Sequence, residues 1–261
     1  MQKTTLLDYP GHLAATVFVG GCNFRCPFCH NGELVLGDVA NSLNDADEES
    51  VRMFGAERRE KSVAVSEKRE VIIEDEVLAY LGKRRGILQG VCITGGEPTL
   101  QPDLTDFIRR VKELGYLVKL DTNGYRPEVL RELLKDGVLD YVAMDVKASR
   151  EKYALAAGAV GLDIARIEES IELLKLADID CEFRTTVVKG IHSMEEFEKI
   201  GQWLAGARAY YLQAFRENEN MICARTGMEN VHYEAYTKSE MEQLADIVGK
   251  YVDKVGVRGV E

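Results

Sequence analysis

No stretch of the 261 residues approaches the ~18 to 20 continuous apolar residues that a membrane-spanning helix requires, so no membrane partner is expected. A basic excess is also missing. Lys and Arg number 33 against 44 Asp and Glu, and the resulting formal charge of -11 favours solubility and works against a nucleic-acid surface. Neither DNA nor RNA is an expected partner. The amino-terminal stretch MQKTTLLDYPGHLAATVFVGG carries an apolar run but no small-residue cleavage site after it, which argues against a signal peptide and for a cytoplasmic protein. The six cysteines, half of them in one cluster, do not form the pattern of a secreted disulfide framework. A chain of this length accommodates one large α/β domain, and a single domain over 1–261 is the expectation.

Another absence is local. Cys22, Cys26 and Cys29 fall in GGCNFRCPFCHNGEL with the spacing C-x3-C-x2-C, and no fourth cysteine stands nearby. Three explanations compete. A structural zinc site takes four ligands, with His30 formally available as the fourth, yet adjacent residues rarely point at one ion. An electron-transfer iron-sulfur centre wants four thiolates. Three thiolates can instead hold three irons of a 4Fe-4S cluster and leave the fourth iron open, and an open metal position is a catalytic design. The spacing favours this last reading.

What is abundant is the alternation of β-rich runs and amphipathic helices, the pattern of stacked βα units. LAATVFVGG, GVCITGG, YLVKLDTNG, DYVAMDVK, CEFRTTVV and AYYLQAF read as six strands. Leu104, Phe107, Ile108, Val111 and Leu114 predict a helix over about 102–114 that stops at Gly115. Pro127 opens the next helix, where its missing N–H is harmless. Ile164, Ile167, Ile171 and Leu174 form another apolar face, and capping boxes are predicted at Ser193–Glu196 and at Ser239–Glu242. Six units are fewer than the eight of a closed barrel, so an open, partial (β/α)6 TIM-like barrel is expected. Residues 38–70 break the rhythm, with 15 charged side chains among 33 positions and no apolar stripe, and read as a solvated insertion.

On parallel βα folds, chemistry gathers at the carboxyl ends of the strands. Those ends carry the cysteine loop, then TGGEP (94–98), DTNG (121–124), MDVK (144–147), FRTT (183–186) and QAFR (213–216). Taken singly, TGGEP and DTNG are ordinary turn sequences. Alternation along YVAMDVK places Tyr141, Ala143, Asp145 and Lys147 on one face, and inward charges need partners. Cys92 and Cys181 read as small core residues, Cys223 as a lone thiol in a loop, and Arg184 as either a surface or a site residue.

These motifs, with DYPG (8–11), LDTNG, AMDVK and EFRTTVV, resemble the radical S-adenosylmethionine (SAM) superfamily. Within it they are most similar to the activating proteins of anaerobic ribonucleoside-triphosphate reductase, kin of pyruvate formate-lyase activating enzyme. The resemblance implies an oxygen-sensitive oxidoreductase whose cofactors are a 4Fe-4S cluster and SAM, with Cys22, Cys26 and Cys29 as catalytic and metal ligands. It implies that Gly95, Gly96, Glu97, Asp121, Asn123, Asp145 and Lys147 surround SAM and that Phe28 and His30 lie beside its adenine, with Asn31 near. Where pyruvate formate-lyase activating enzymes have a histidine after the sixth strand, this sequence has Arg216, whose fixed positive charge suits the methionine carboxylate. The implied partners are a glycyl-radical enzyme, here the anaerobic ribonucleotide reductase, and a flavodoxin or ferredoxin reductant. The alternatives are activation of another glycyl-radical enzyme and a small-molecule substrate.

Overall fold

The computed structural model describes residues 1–36, 72–225 and 233–260. The predicted insertion at 38–70 and His232 lie outside the described residues.

Eight strands form one sheet: β1 (Gln2–Thr5), β2 (Ala14–Val19), β3 (Gly90–Gly95), β4 (Leu117–Thr122), β5 (Tyr141–Asp145), β6 (Asp180–Val187), β7 (Tyr210–Ala214) and β8 (Val255–Arg258). Their spatial order follows their sequence order, from β1 at one end to β8 at the other, so the sheet is not closed. β1 runs antiparallel to β2. Every later neighbour is parallel. Sequential parallel pairing with crossover helices puts the carboxyl ends of β2 to β7 along one rim. This is the partial barrel that six βα units predict, extended by one short strand at each end.

The helices are α1 (Gly32–Leu36), α2 (Glu74–Gly82), α3 (Leu104–Glu113), α4 (Pro127–Lys135), α5 (Tyr153–Ala157), α6 (Ile164–Leu176), α7 (Met194–Trp203), α8 (Ile222–Arg225) and α9 (Lys238–Val248). In α3 the spacing of Leu104, Phe107, Ile108 and Val111 turns all four inward, where they are buried. They join Val91 and Ile93 of β3, Val118 and Leu120 of β4, and Val142 and Met144 of β5 in one apolar layer between sheet and helices. Each such side chain contributes roughly 1.5–3 kcal/mol on burial. Pro127 occupies the first turn of α4 as its sequence position predicts.

The caps follow the sequence only in part. Ser193 accepts the Glu196 N–H at 3.3 Å, but the Glu196 carboxylate faces Lys152 at 3.6 Å, so the reciprocal half of that box is not made. The predicted box at Ser239–Glu242 is corrected to Thr237–Glu240, where both halves are present. With α9 beginning at Lys238, Ser239 is already inside the first turn and cannot cap it.

The opposite face of the strands is polar. Across neighbouring strands Cys92 stands beside Lys119, Lys119 beside Tyr141, Asp145 beside Arg184, and Arg184 beside Tyr211. Low on this face the buried Glu182 carboxylate accepts the Tyr141 hydroxyl at 2.7 Å and both terminal nitrogens of Arg258 at 2.8 Å, which ties β8 to β6 across β7. The inner surface of the curved sheet thus holds charges in pairs, and its rim end is where they open onto a cavity.

Candidate active site

The cysteine loop follows β2 directly and folds over the rim. Cys29 N–H donates to the Cys26 carbonyl at 3.0 Å, a tight turn that brings the last two thiols round toward the first. The loop is held from three sides. Gly21 N–H reaches the Leu34 carbonyl at 2.8 Å, Arg25 N–H the Ala157 carbonyl at 2.9 Å, and Cys223 N–H the Pro27 carbonyl at 3.0 Å. Cys223, which the sequence leaves as a lone thiol, is therefore buried behind the loop and fastens it through its backbone.

All three sulfur-bearing residues line one cavity of about 240 Å³, together with Gly95, Gly96, Glu97, Asp121, Asn123, Asp145, Lys147 and Arg184. The strand-end motifs that are separately ambiguous in sequence thus meet in one place. Among the described residues no three Cys, His, Asp or Glu side chains converge on a point that could hold one ion. His30, the neighbour of Cys29 considered as a fourth zinc ligand, borders a second hollow of about 620 Å³ and lies tilted against Phe215 with ring centroids 5.7 Å apart. Burial raises all three thiol pKa values, that of Cys26 to about 12, while the Lys147 ammonium opposes the shift in each.

The cavity floor is a ladder of alternating charge. Lys119 pairs with Asp121, Asp121 with Arg184 at 3.3 Å, Arg184 with Asp145 at 2.9 Å, and Asp145 with Lys147 at 3.1 Å. Three cations and two carboxylates leave one positive charge in excess, and Lys147 is its cavity-side end. Burial would raise the Asp145 pKa, but Arg184 and Lys147 outweigh it and hold the carboxyl at about 2. Burial would lower both Lys147 and Arg184; the carboxylate of Asp145, joined by Asp121 for Arg184, instead raises both above their usual ranges.

Lys119, only 1% exposed, is a site residue that sequence reasoning missed. Its signal was present, because Lys119 and Asp121 are two apart on one strand and so share a face. Arg184 resolves toward the site by the same alternation, standing beside Asp145 on β6.

Glu97 is placed differently from a ligand-facing carboxylate. It is 1% exposed; Oε1 accepts Thr99 N–H at 3.1 Å, the Thr99 hydroxyl at 2.6 Å and the Thr122 hydroxyl at 2.7 Å, and Oε2 accepts Asn123 N–H at 2.6 Å. It binds the end of β3 to the end of β4. Gly96 has a related role, since a Cβ there would overlap the Gly21 carbonyl, and Gly95, at φ +122°, lies where a Cβ would meet the Val19 backbone. Both glycines let β3 close against the cysteine loop.

Three residues expected near the adenine or carboxylate stand apart from the cavity lining. Phe28 is buried among His192 (6.5 Å) and Tyr233 (6.1 Å). His30 borders the second hollow, where Asn31 lies on the boundary of both. Arg216 is turned to the Gly259 carbonyl at 3.2 Å, beside the end of β8.

Residues 16–204 match the profile described as the radical SAM superfamily. The chain is 30% identical, over 97% of its own length and 92% of the relative's, to a Methanocaldococcus jannaschii protein provisionally named a glycyl-radical enzyme activating enzyme. It is 27% identical over 69% of its length, and 48% of the relative's, to a Thermococcus kodakarensis protein provisionally named GTP 3',8-cyclase. Its fold is similar to that of Streptococcus suis SuiB bound to S-adenosylmethionine, with a TM-score of 0.62, 15% identity and 94% of this chain covered. The chain spans half the length of that protein.

Proposed function

The chain belongs to the radical SAM superfamily, whose cofactors are a 4Fe-4S cluster and SAM, and on that premise we propose that it is an activating enzyme that installs a glycyl radical on a partner protein, the anaerobic ribonucleoside-triphosphate reductase. The observation that carries the activase reading is the extent of the similarity. The glycyl-radical activating relative aligns over 97% of the chain, whereas the cyclase relative aligns over 69%. The unclosed sheet supports it as well, because a barrel that is not closed leaves more room for a loop of another protein to reach the rim.

The residues of the site fit the two cofactors. Cys22, Cys26 and Cys29 would hold three irons through thiolates, with the fourth iron left for SAM. Once reduced by the flavodoxin or ferredoxin, the bound cluster would supply one-electron reductive cleavage of SAM, the chemistry needed to remove a hydrogen atom from the partner's glycine. The protein's share is to bind, orient and screen. Lys147, a cavity-lining cation that pairs with one carboxylate where Arg184 pairs with two, is suited to the methionine carboxylate. Asp145 and Asp121, each already paired with Arg184, supply acceptors for the ammonium and ribose hydroxyls without leaving a carboxylate unpaired. Glu97 positions Thr122 and Asn123. The hollow bordered by His30 and Asn31 adjoins the cavity through Asn31 and suits the adenine, with Phe28 packing beneath the loop.

The test is anaerobic. The reconstituted chain, SAM, a flavodoxin or ferredoxin reductant and purified anaerobic ribonucleotide reductase should give a glycyl-radical signal by electron paramagnetic resonance (EPR). Release of 5'-deoxyadenosine with no signal on the reductase removes that partner; turnover of a metabolite without any protein partner favours the small-molecule alternative.

A further inference from the structure

A pair of side-chain amides joins the end of β4 to the cysteine loop. The backbone of Asn123 is anchored by the Glu97 carboxylate at 2.6 Å, and its side-chain Oδ1 accepts the Tyr125 N–H at 2.9 Å. A backbone N–H can meet only the oxygen of an amide, so the orientation of the Asn123 side chain is fixed and Nδ2 faces the loop. There it donates to Asn23 Oδ1 at 2.8 Å and lies 3.8 Å from Cys22 Sγ. The Phe24 N–H is a second donor to the same sulfur, at 3.3 Å.

Asn23 is oriented too, because its Oδ1 accepts from Asn123 Nδ2 and, at 3.8 Å, from the Cys22 thiol, so this side chain turns its oxygen toward Cys22 Sγ. Its own Nδ2 is sealed from solvent and meets no acceptor among the described residues. A buried amide N–H is seldom left without a partner, and here it belongs to the residue next to Cys22. The sulfides of a bound cluster are acceptors of the kind that would complete it.

We propose that Asn123 is a positioning residue that sets the reduction potential of the cluster, by turning its own Nδ2 to the Cys22 sulfur and binding the Asn23 oxygen that faces the same sulfur. This rests on the reading of Cys22, Cys26 and Cys29 as cluster ligands. One-electron reduction adds negative charge to the cluster and its thiolates, and N–H dipoles aimed at sulfur favour that state. The Asn123 donor therefore raises the potential, both directly and by occupying the Asn23 oxygen, and because Asn123 lines the cavity it links the strand end to the cluster's readiness to accept an electron.

The experiment is an EPR-monitored redox titration of the anaerobically reconstituted full chain without SAM, with iron content measured alongside. Two variants are compared. Asn123→Leu removes the donor at similar volume. Asn123→Asp keeps an acceptor for the Tyr125 N–H but replaces the donor with a negative charge. For Asn123→Leu the reduced-to-oxidised ratio at the wild-type midpoint should fall about tenfold, a shift of about 59 mV for one electron. Asn123→Asp should fall further. Midpoints equal to wild type in both variants overturn the proposal, and so does loss of the cluster itself, since a residue acting on potential leaves the three thiolates their hold. A wild-type chain that takes up no cluster instead fails the site reading on which the proposal rests.

Discussion

At the scale of single residues, Arg184 is where the charge ladder is most exposed to test. It is the only member that pairs with both Asp121 and Asp145, and breaking a buried ion network by removing one member leaves uncompensated charge. Arg184→Gln should lower unfolding free energy by roughly 3 kcal/mol in denaturant titration. Arg184→Lys should recover only part, since an ammonium lacks the planar fork that reaches two carboxylates; stability equal to wild type in Arg184→Gln would show the ladder to be incidental. His192 gives a second residue-level test. It is 3% exposed, its Nδ1 accepts the Val188 N–H at 3.0 Å, and so its Nε2 carries the hydrogen to the Lys147 carbonyl at 2.8 Å. Burial lowers its pKa, so the unfolded chain binds the proton more readily. The stability His192 lends is complete above its unfolded pKa of about 6.5 and is lost as pH falls below that value. Thermal midpoints of the wild type should therefore drop between about pH 7 and 5 more steeply than those of His192→Gln, and parallel slopes would refute the neutral-histidine assignment. At this scale the sequence was legible wherever period-2 alternation could be applied, as with Asp145 and Lys147. It does not reach the hydrogen-bond partners of Glu97, since Thr99, Thr122 and Asn123 lie on another turn and another strand, or the contact of Arg216 with the Gly259 carbonyl beside the end of β8.

At the scale of elements, the contact between the end of β3 and the cysteine loop decides whether the site exists. Glu97 N–H donates to the Gly21 carbonyl at 2.8 Å, and a Cβ on Gly96 would overlap that same carbonyl. Gly96→Ala should force the two backbones apart at a cost of roughly 1–3 kcal/mol. Iron uptake per chain should fall with it, while the far-ultraviolet circular dichroism of the helices stays unchanged; uptake at the wild-type level would mean that the rim tolerates the separation. The long elements were readable because their apolar stripes repeat several times, as in α3 and α6. β1 and β8 were not, because each has four residues and neither carries a run of buried side chains. The displaced capping box of α9 has a similar cause, since Thr237-x-x-Glu240 and Ser239-x-x-Glu242 fit the same pattern and only the start of the helix chooses between them.

At the scale of the whole molecule, the sheet is a support that brings six separated strand ends to one rim and leaves an edge open. None of the helices among the described residues is long and apolar enough to cross a membrane. The partial barrel could be anticipated from the count of βα units, but its extension by β1 and β8 and the tie between Glu182 and Arg258 come from packing that no local pattern encodes. What unites the scales is the assignment of the rim cavity as the place where SAM is bound and cleaved. The most direct measurement is 5'-deoxyadenosine by chromatography after anaerobic reconstitution with iron and sulfide, reduction with dithionite and addition of SAM, for the wild type and Cys26→Ala in parallel. The wild type should release 5'-deoxyadenosine, and Cys26→Ala should show neither cluster nor product. A wild-type cluster that leaves SAM intact even beside the reductase, or a Cys26→Ala chain that still cleaves it, would contradict the assignment.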